Sequence, residues 1–168
     1  LLSLGDLIAF ASPPGLFFGR IANFINGELW GKPTTSVFGI KFTKGQGQFC
    51  PNPNELPCLR HPSQLYEAFF EGIVLMLIFY YLVFVSKALR KPGIIFGAFL
   101  LGYGVIRFSI EFLREADAFF ITNENPYGYV VQLIPGIGIT MGQLLTVPMI
   151  VFGFFMILLL SKRNLDGN

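Results

Sequence analysis

The chain has 168 residues, is 53% hydrophobic and 13% charged, and carries a formal net charge of +2. A soluble domain is about 25% charged, so the composition argues against one, and +2 with no basic stripe interleaved with aromatics argues against a nucleic-acid partner. The apolar residues, 20 phenylalanines among them, fall into runs of about 20 residues, the length an α-helix needs to cross a hydrocarbon core of roughly 30 Å. Four such runs predict an all-α polytopic membrane protein forming one integral membrane domain over 1–168, with spans at 1–25, 68–86, 93–112 and 141–160.

The first run opens on Leu1, inside the apolar stretch and without a positively charged lead, and so reads as part of a longer chain rather than as a signal peptide. Pro13, Pro14 and Gly15 are expected to break or kink it midway. Asp6 is an isolated carboxylate in an otherwise apolar half-helix, and such acids are usually paired or functional; its partner is expected upstream of residue 1. The run ends in GRIANFINGEL. There Arg20 and Asn23 share a helix face, Gly19 removes side-chain bulk beside Arg20, and Asn26 and Glu28 follow. An arginine alone at that depth could simply snorkel to the headgroups. Amides gain little that way and cost energy when buried unpaired.

A loop over 28–67 follows, in which the alternation of TTSVFGIKF suits a short hairpin. CPNPNELPC either closes a small Cys50–Cys58 disulfide loop or holds two free thiols. Two cysteines and the single His61, with no CxxC, give no metal site. His61-Pro62-Ser63 reads as the entry to the second run, where Glu71 falls in the first turns, near the interface. Gln64, Tyr66 and, further on, Tyr103 add polar groups on the same side. The third run places Arg107, Glu111 and Arg114 at i, i+4 and i+7, one stripe of a helix. The loop over 113–140 mixes aromatics with turn residues, as a segment at the bilayer interface would. Lys87, Arg90 and Lys91 after the second run and Lys162 and Arg163 after the fourth set the orientation. By the positive-inside bias the C-terminus is cytoplasmic, and the arginines with loops 28–67 and 113–140 face out.

The residues alone thus describe a membrane protein with an arginine-rich anion site at its outer face, since a planar guanidinium fork grips phosphate oxygens in pairs. Glu111 would hold the arginines, and Arg20 and Arg107 would converge on one ligand. The same stripe could also be a purely structural ion network. GxSxG, HExxH and P-loop motifs are absent from the sequence, so physics leaves an enzyme on phospholipid and a transporter or binding protein for an anionic lipid or metabolite both open.

Four segments in order, GRIANFINGELWGKP, RHPSQLYEAFFEG, GYGVIRFSIEFLRE and MGQLLTVPMIVFG, resemble the bacterial prolipoprotein diacylglyceryl transferases. The resemblance implies a seven-span inner-membrane fold of which this chain is the C-terminal portion. It implies transfer of diacylglyceryl from phosphatidylglycerol to the lipobox cysteine of a prolipoprotein signal peptide, forming a thioether and releasing glycerol phosphate, with no cofactor. Carried over, the essential arginine of the signature is Arg20, with Asn23 and Glu28 beside it, and the later segment supplies Arg107, Glu111 and Arg114. Arg20, Arg107 and Glu28 are then expected to be catalytic, and Arg20, Asn23, Asn26, Glu111, Arg114 and Tyr103 to bind the headgroup, while Asp6 matches an acidic position before the signature. The upstream His-Gly-Gly segment of the family is missing here. The proton acceptor stays open among Glu28, His61 and that absent histidine.

Overall fold

A computed structural model describes residues 1–43, 58–116, 118–122, 124–134 and 137–163. Its apolar runs wind as four helices: α1 over Leu2–Asn26, α2 over Ser63–Val85, α3 over Ile94–Ile110 and α4 over Met141–Arg163. Three of them, α1, α2 and α4, are long and apolar enough to cross a membrane, and α3 is a shorter apolar helix. Only 11–28% of the apolar window of each long helix is buried against protein, and residues such as Leu7, Phe18, Leu77 and Phe155 point outward. An outer surface of that kind is stable only against lipid. The protein is a polytopic helical membrane protein.

Pro13 and Pro14 do not break α1, which runs on through both. Neighbouring helices make a proline tolerable in such a setting. Gly27, in the left-handed region at φ 69°, stops the helix by donating its N–H to the carbonyls of Asn23 and Phe24. α2 begins at Ser63, ahead of the apolar run expected from residue 68, because Pro62 suits a helix entry. Its first turn carries Ser63, Gln64 and Glu67, polar but buried, which hydropathy assigns to the loop. Across Ala68–Val74 and again across Tyr81–Val85 the helix widens to i→i+5 bonding.

α3 and α4 pack backbone to backbone. A Cβ on Gly153 would sit 2.6 Å from the Leu101 nitrogen, and one on Gly104 would sit 2.8 Å from Ile150 Cγ1. Small residues at such crossings are what lets membrane helices approach closely. The core between α1, α2 and α3 is Ala9, Leu75, Phe79 and Ile95, with Phe10, Phe96 and Phe99 against it.

Asp6 finds its partner within this chain. Its carboxylate accepts the Gly93 N–H at 2.6 Å and the Phe96 N–H at 2.8 Å, capping α3 from the neighbouring helix at the end opposite Arg107. The expected upstream partner is not needed to satisfy it.

The connections differ from expectation in one respect. TTSVFGIKF forms no strand: its backbone turns at Ser36–Gly39 and makes only an isolated bridge, Ile40 to Arg60, beside the bridge of the preceding Pro33 to the same residue. The antiparallel hairpin lies instead in the later loop, β1 (Val131–Ile134) with β2 (Ile137–Ile139), Val131 opposite Ile139. Alternation in the first loop is spent on tying it to the start of α2. The Cys50–Cys58 pairing lies outside the described residues, since Cys50 is not among them; Cys58 is buried.

Candidate active site

The loop leaving α1 is threaded between the start of α2 and the end of α3. Gly31 donates to His61 O at 2.9 Å, and Lys32 donates to Leu113 O at 2.8 Å. A Cβ on Gly31 would lie 2.6 Å from both the His61 and Leu113 carbonyl oxygens, so this crossing requires glycine. Arg60 clamps it, donating to Gly31 O at 3.2 Å and to Glu115 Oε2 at 2.6 Å. The result holds the ends of α1, α2 and α3 together, and the ionised residues of all three meet just inside that end.

At the centre is Glu67, fully buried on α2. It pairs with Arg20 Nε of α1 at 3.2 Å through Oε2 and with Arg107 Nη1 of α3 through Oε1. One turn along, Glu71 Oε2 accepts from both Nε and Nη2 of Arg20 at 3.4 Å. Gly72 permits this pairing, because any Cβ there would meet Phe17 Cβ at 2.6 Å and hold α1 away. Arg107 Nη2 reaches Glu111 Oε2 at 2.7 Å, and Arg114 Nη1 lies 3.9 Å from the same oxygen.

α4 closes the network from the other side. Thr140 caps its first turn: Thr140 Oγ1 accepts the Gln143 N–H at 3.3 Å, and Gln143 Oε1 accepts the Thr140 N–H at 3.2 Å. This reciprocal pairing is a capping box. The same Thr140 hydroxyl donates to Glu111 Oε1 at 3.1 Å. Gly142 makes the room, since a Cβ there would sit 2.6 Å from the Glu111 carboxyl carbon.

Three guanidiniums and three carboxylates therefore share one buried site, and their formal charges cancel. They are not equally held. Charge-assisted N–H···O bonds usually measure about 2.7–2.9 Å; Arg107 meets Glu111 within that range, whereas the Arg20 contacts are 3.2–3.4 Å long. The Arg20 side chain is also the more exposed, 17% against 9%. Gln64 Oε1 and Glu71 Oε1 are buried with no hydrogen-bond partner among the described residues. Glu67 Oε2 and Glu111 Oε2 reach arginines as ion pairs without aligned hydrogen bonds. Next to the charges, between α1 and α2, lies an apolar cavity of about 420 Å³ walled by Pro13, Pro14, Phe17, Phe18, Ile73 and Met76.

Of the residues picked from the sequence, Arg20, Arg107, Glu111 and Arg114 are brought together. Tyr103, stacked on Phe99 with centroids 5.5 Å apart, lies within electrostatic reach of Arg20, Arg107, Glu67 and Glu71. Gln64 donates to the Glu28 carbonyl. The remaining candidates stand apart from the ion network. Glu28 is exposed and its carboxylate accepts from Asn26 Nδ2 at 3.2 Å. Asn23 is half-buried, its carbonyl accepting the Glu28 N–H at 3.1 Å. His61 Nδ1 lies 3.4 Å from the Tyr66 hydroxyl, and Asp6 is at the far end. A Cβ on Gly19 would meet nothing within 4 Å, so no described helix uses the space beside Arg20. Sequence reasoning missed Glu67 altogether and read Glu71 as interfacial. The signal was present: Gln64, Glu67 and Glu71 stand at i, i+3 and i+7, one polar stripe on a helix.

Residues 1–159 match the family described as prolipoprotein diacylglyceryl transferase. Among similar curated proteins, the phosphatidylglycerol--prolipoprotein diacylglyceryl transferase of Cereibacter sphaeroides is 52% identical over 158 residues, covering 94% of this chain and 53% of that protein. The Roseobacter denitrificans protein of that name is 49% identical over 156 residues, 93% of this chain and 52% of its own length. That of Rickettsia felis is 47% identical, again over 93% of this chain and 52% of its own length. The chain spans about half the length of the curated relatives it matches. With a match running through all four helices, the chain belongs to the prolipoprotein diacylglyceryl transferase family.

Proposed function

We propose that this chain is the phosphate-binding half of a transferase that moves diacylglyceryl from phosphatidylglycerol to the lipobox cysteine thiol of a prolipoprotein, at the outer face of a bacterial inner membrane. The observation that carries this reading is the convergence of Arg20 and Arg107 on the two sides of Glu67. It presents two guanidiniums from different helices to one point just inside the membrane boundary. The relatives' names supply the substrates, a phospholipid and a protein.

The reaction asks for what this arrangement offers. A thiolate attacks the glycerol carbon bound to phosphate, the carbon–oxygen bond breaks, and negative charge gathers on the departing phosphate oxygen. Fixed guanidiniums aimed there stabilise the transition state more than the diester ground state, by several kcal/mol in a site shielded from water. Arg20, loosely held and partly exposed, meets the headgroup; Arg107, locked between Glu67 and Glu111, fixes the field around it. Arg114 and Tyr103, both within reach of the ion network, complete the headgroup site. The apolar cavity between α1 and α2, one turn from Arg20 along α1 and beside Glu71 along α2, suits an acyl chain of the same lipid. Lys87, Arg90 and Lys91 after α2 and Lys162 at the end of α4 lie on the same side of the bundle, away from the arginines, and the positive-inside bias reads that side as cytoplasmic and the arginine end as outward.

The test is a mass-shift assay: full-length protein in phosphatidylglycerol vesicles with a peptide bearing a lipobox cysteine. Addition of one diacylglyceryl mass to the cysteine, lost in Arg20→Ala, is the expected result. Inserted, folded protein that transfers nothing from phosphatidylglycerol would overturn the reading.

A further inference from the structure

We propose that Glu71 is the proton carrier of the transfer: a phosphodiester entering the site displaces its carboxylate from Arg20, and the freed carboxylate takes the proton of the incoming thiol. The inference rests on the transferase reading above and deepens it by naming the acid–base group.

Four observations converge on Glu71. It is fully buried, and its Oε1 has no hydrogen-bond partner among the described residues. Among the described residues its other oxygen is held only by Arg20, at 3.4 Å to two nitrogens, long for a charge-assisted bond. It lies within the stretch of α2 that widens to i→i+5 bonding, a distortion often found at functional sites. The other carboxylates are committed: Glu67 to both Arg20 and Arg107, Glu111 to Arg107 at 2.7 Å and to the Thr140 hydroxyl at 3.1 Å. Glu28 is exposed on Asn26, and His61 faces Tyr66.

Electrostatics turn this arrangement into a switch. The groups facing Glu71 are Arg20 from α1, Arg107 and Tyr103 from α3, and Glu67 one turn away on its own helix. The Arg20 guanidinium beside it favours the charged carboxylate. A phosphodiester monoanion competes for the same guanidinium. Once Arg20 turns to phosphate, Glu71 is a buried carboxylate beside Glu67 without its cation, and such a group binds a proton strongly. Base strength therefore rises when the lipid is in place.

The proton and the electrons balance. The S–H bond breaks and its proton goes to Glu71 Oε1. The sulfur electron pair forms the S–C bond as the C–O bond to phosphate breaks, and that bond's pair leaves on the phosphate oxygen. Glu71 then returns its proton to a phosphate oxygen, glycerol phosphate departs as a monoanion, and Glu71 pairs with Arg20 again.

The experiment compares wild type, Glu71→Gln and Glu71→Asp, as full-length proteins in phosphatidylglycerol vesicles, between pH 6 and 9. The acceptors are a cysteine peptide and its selenocysteine counterpart, whose selenol is already ionised at neutral pH. Wild-type transfer to the cysteine peptide tests the transferase reading itself; its absence sinks that reading whatever Glu71 does. Given wild-type transfer, Glu71→Gln should lose about 100-fold or more at pH 7 with the thiol. Its rate should climb about tenfold per pH unit toward the thiol pKa of about 8.5, and the selenol should restore it. Glu71→Asp keeps a carboxylate and should keep the wild-type selenol-to-thiol ratio, which does not depend on how much protein folds. Thiol transfer by Glu71→Gln close to wild type, or a deficit equal for thiol and selenol at every pH, would overturn the proposal.

Discussion

Replacing Glu67 by alanine removes the one carboxylate that both central arginines share. Breaking a buried ion pair by deleting one partner costs about 3–5 kcal/mol, because an uncompensated charge is left in low dielectric. Here neither arginine is left alone: Arg107 keeps Glu111 at 2.7 Å and Arg20 keeps Glu71 at 3.4 Å. The loss should therefore sit at the lower end, about 3 kcal/mol. For a protein of its relatives' length, about twice this chain's, that lowers Tm by about 5 °C. Thermal unfolding of the full-length protein in detergent micelles reads it. Adding Arg107→Ala to Glu67→Ala should cost less than the two changes separately, with a coupling of about 1–3 kcal/mol, since the orphaned guanidinium goes too. A Tm drop under about 2 °C, or additivity within about 0.5 kcal/mol, would show that Glu67 does not hold the site together.

Other substitutions separate scaffold from site. Asp6→Ala removes the carboxylate that accepts from Gly93 and Phe96; it should cost about 1–2 kcal/mol, as lost helix caps do, while transfer per folded molecule stays the same. Activity normalised to folded protein checks this. Gly142→Ala puts a methyl 2.6 Å from the Glu111 carboxyl carbon and pushes that side chain off Arg107. Transfer should fall about tenfold or more, a barrier change of about 1.4 kcal/mol or above, whereas Gly15→Ala, which meets nothing within 4 Å, should leave it unchanged.

The parts of the site that sequence made legible are those carried by spacing within a single helix. Arg107, Glu111 and Arg114 announce themselves as one stripe, and Arg20 stands out as a charge at the end of an apolar run. The meeting of Arg20 with Arg107 was expected from both lying at the same depth. Glu67 escaped because burial, not hydropathy, defines it. Pro62 starts α2 early and carries Ser63, Gln64 and Glu67 into the protein interior, though a hydropathy reading leaves them in a polar loop. Asp6 shows the converse. An isolated intramembrane acid suggested chemistry, yet its oxygens are satisfied by backbone amides of another helix, a partnership no spacing rule reveals. The misplaced hairpin has a similar cause: Arg60 takes the bridges that TTSVFGIKF would need for a strand of its own.

The central claim is that Arg20 and Arg107 act on charge that develops during the transfer, through guanidinium forks that an ammonium cannot reproduce. The most direct test measures kcat and KM for phosphatidylglycerol with wild type, Arg20→Lys and Arg107→Lys, each as full-length protein in vesicles. Lysine keeps the charge and loses the fork. The account predicts kcat lower by about 100-fold or more in both, the scale of a lost transition-state donor, with KM changed little. A KM that rises while kcat holds would mean the arginines only collect the lipid, and would contradict the account.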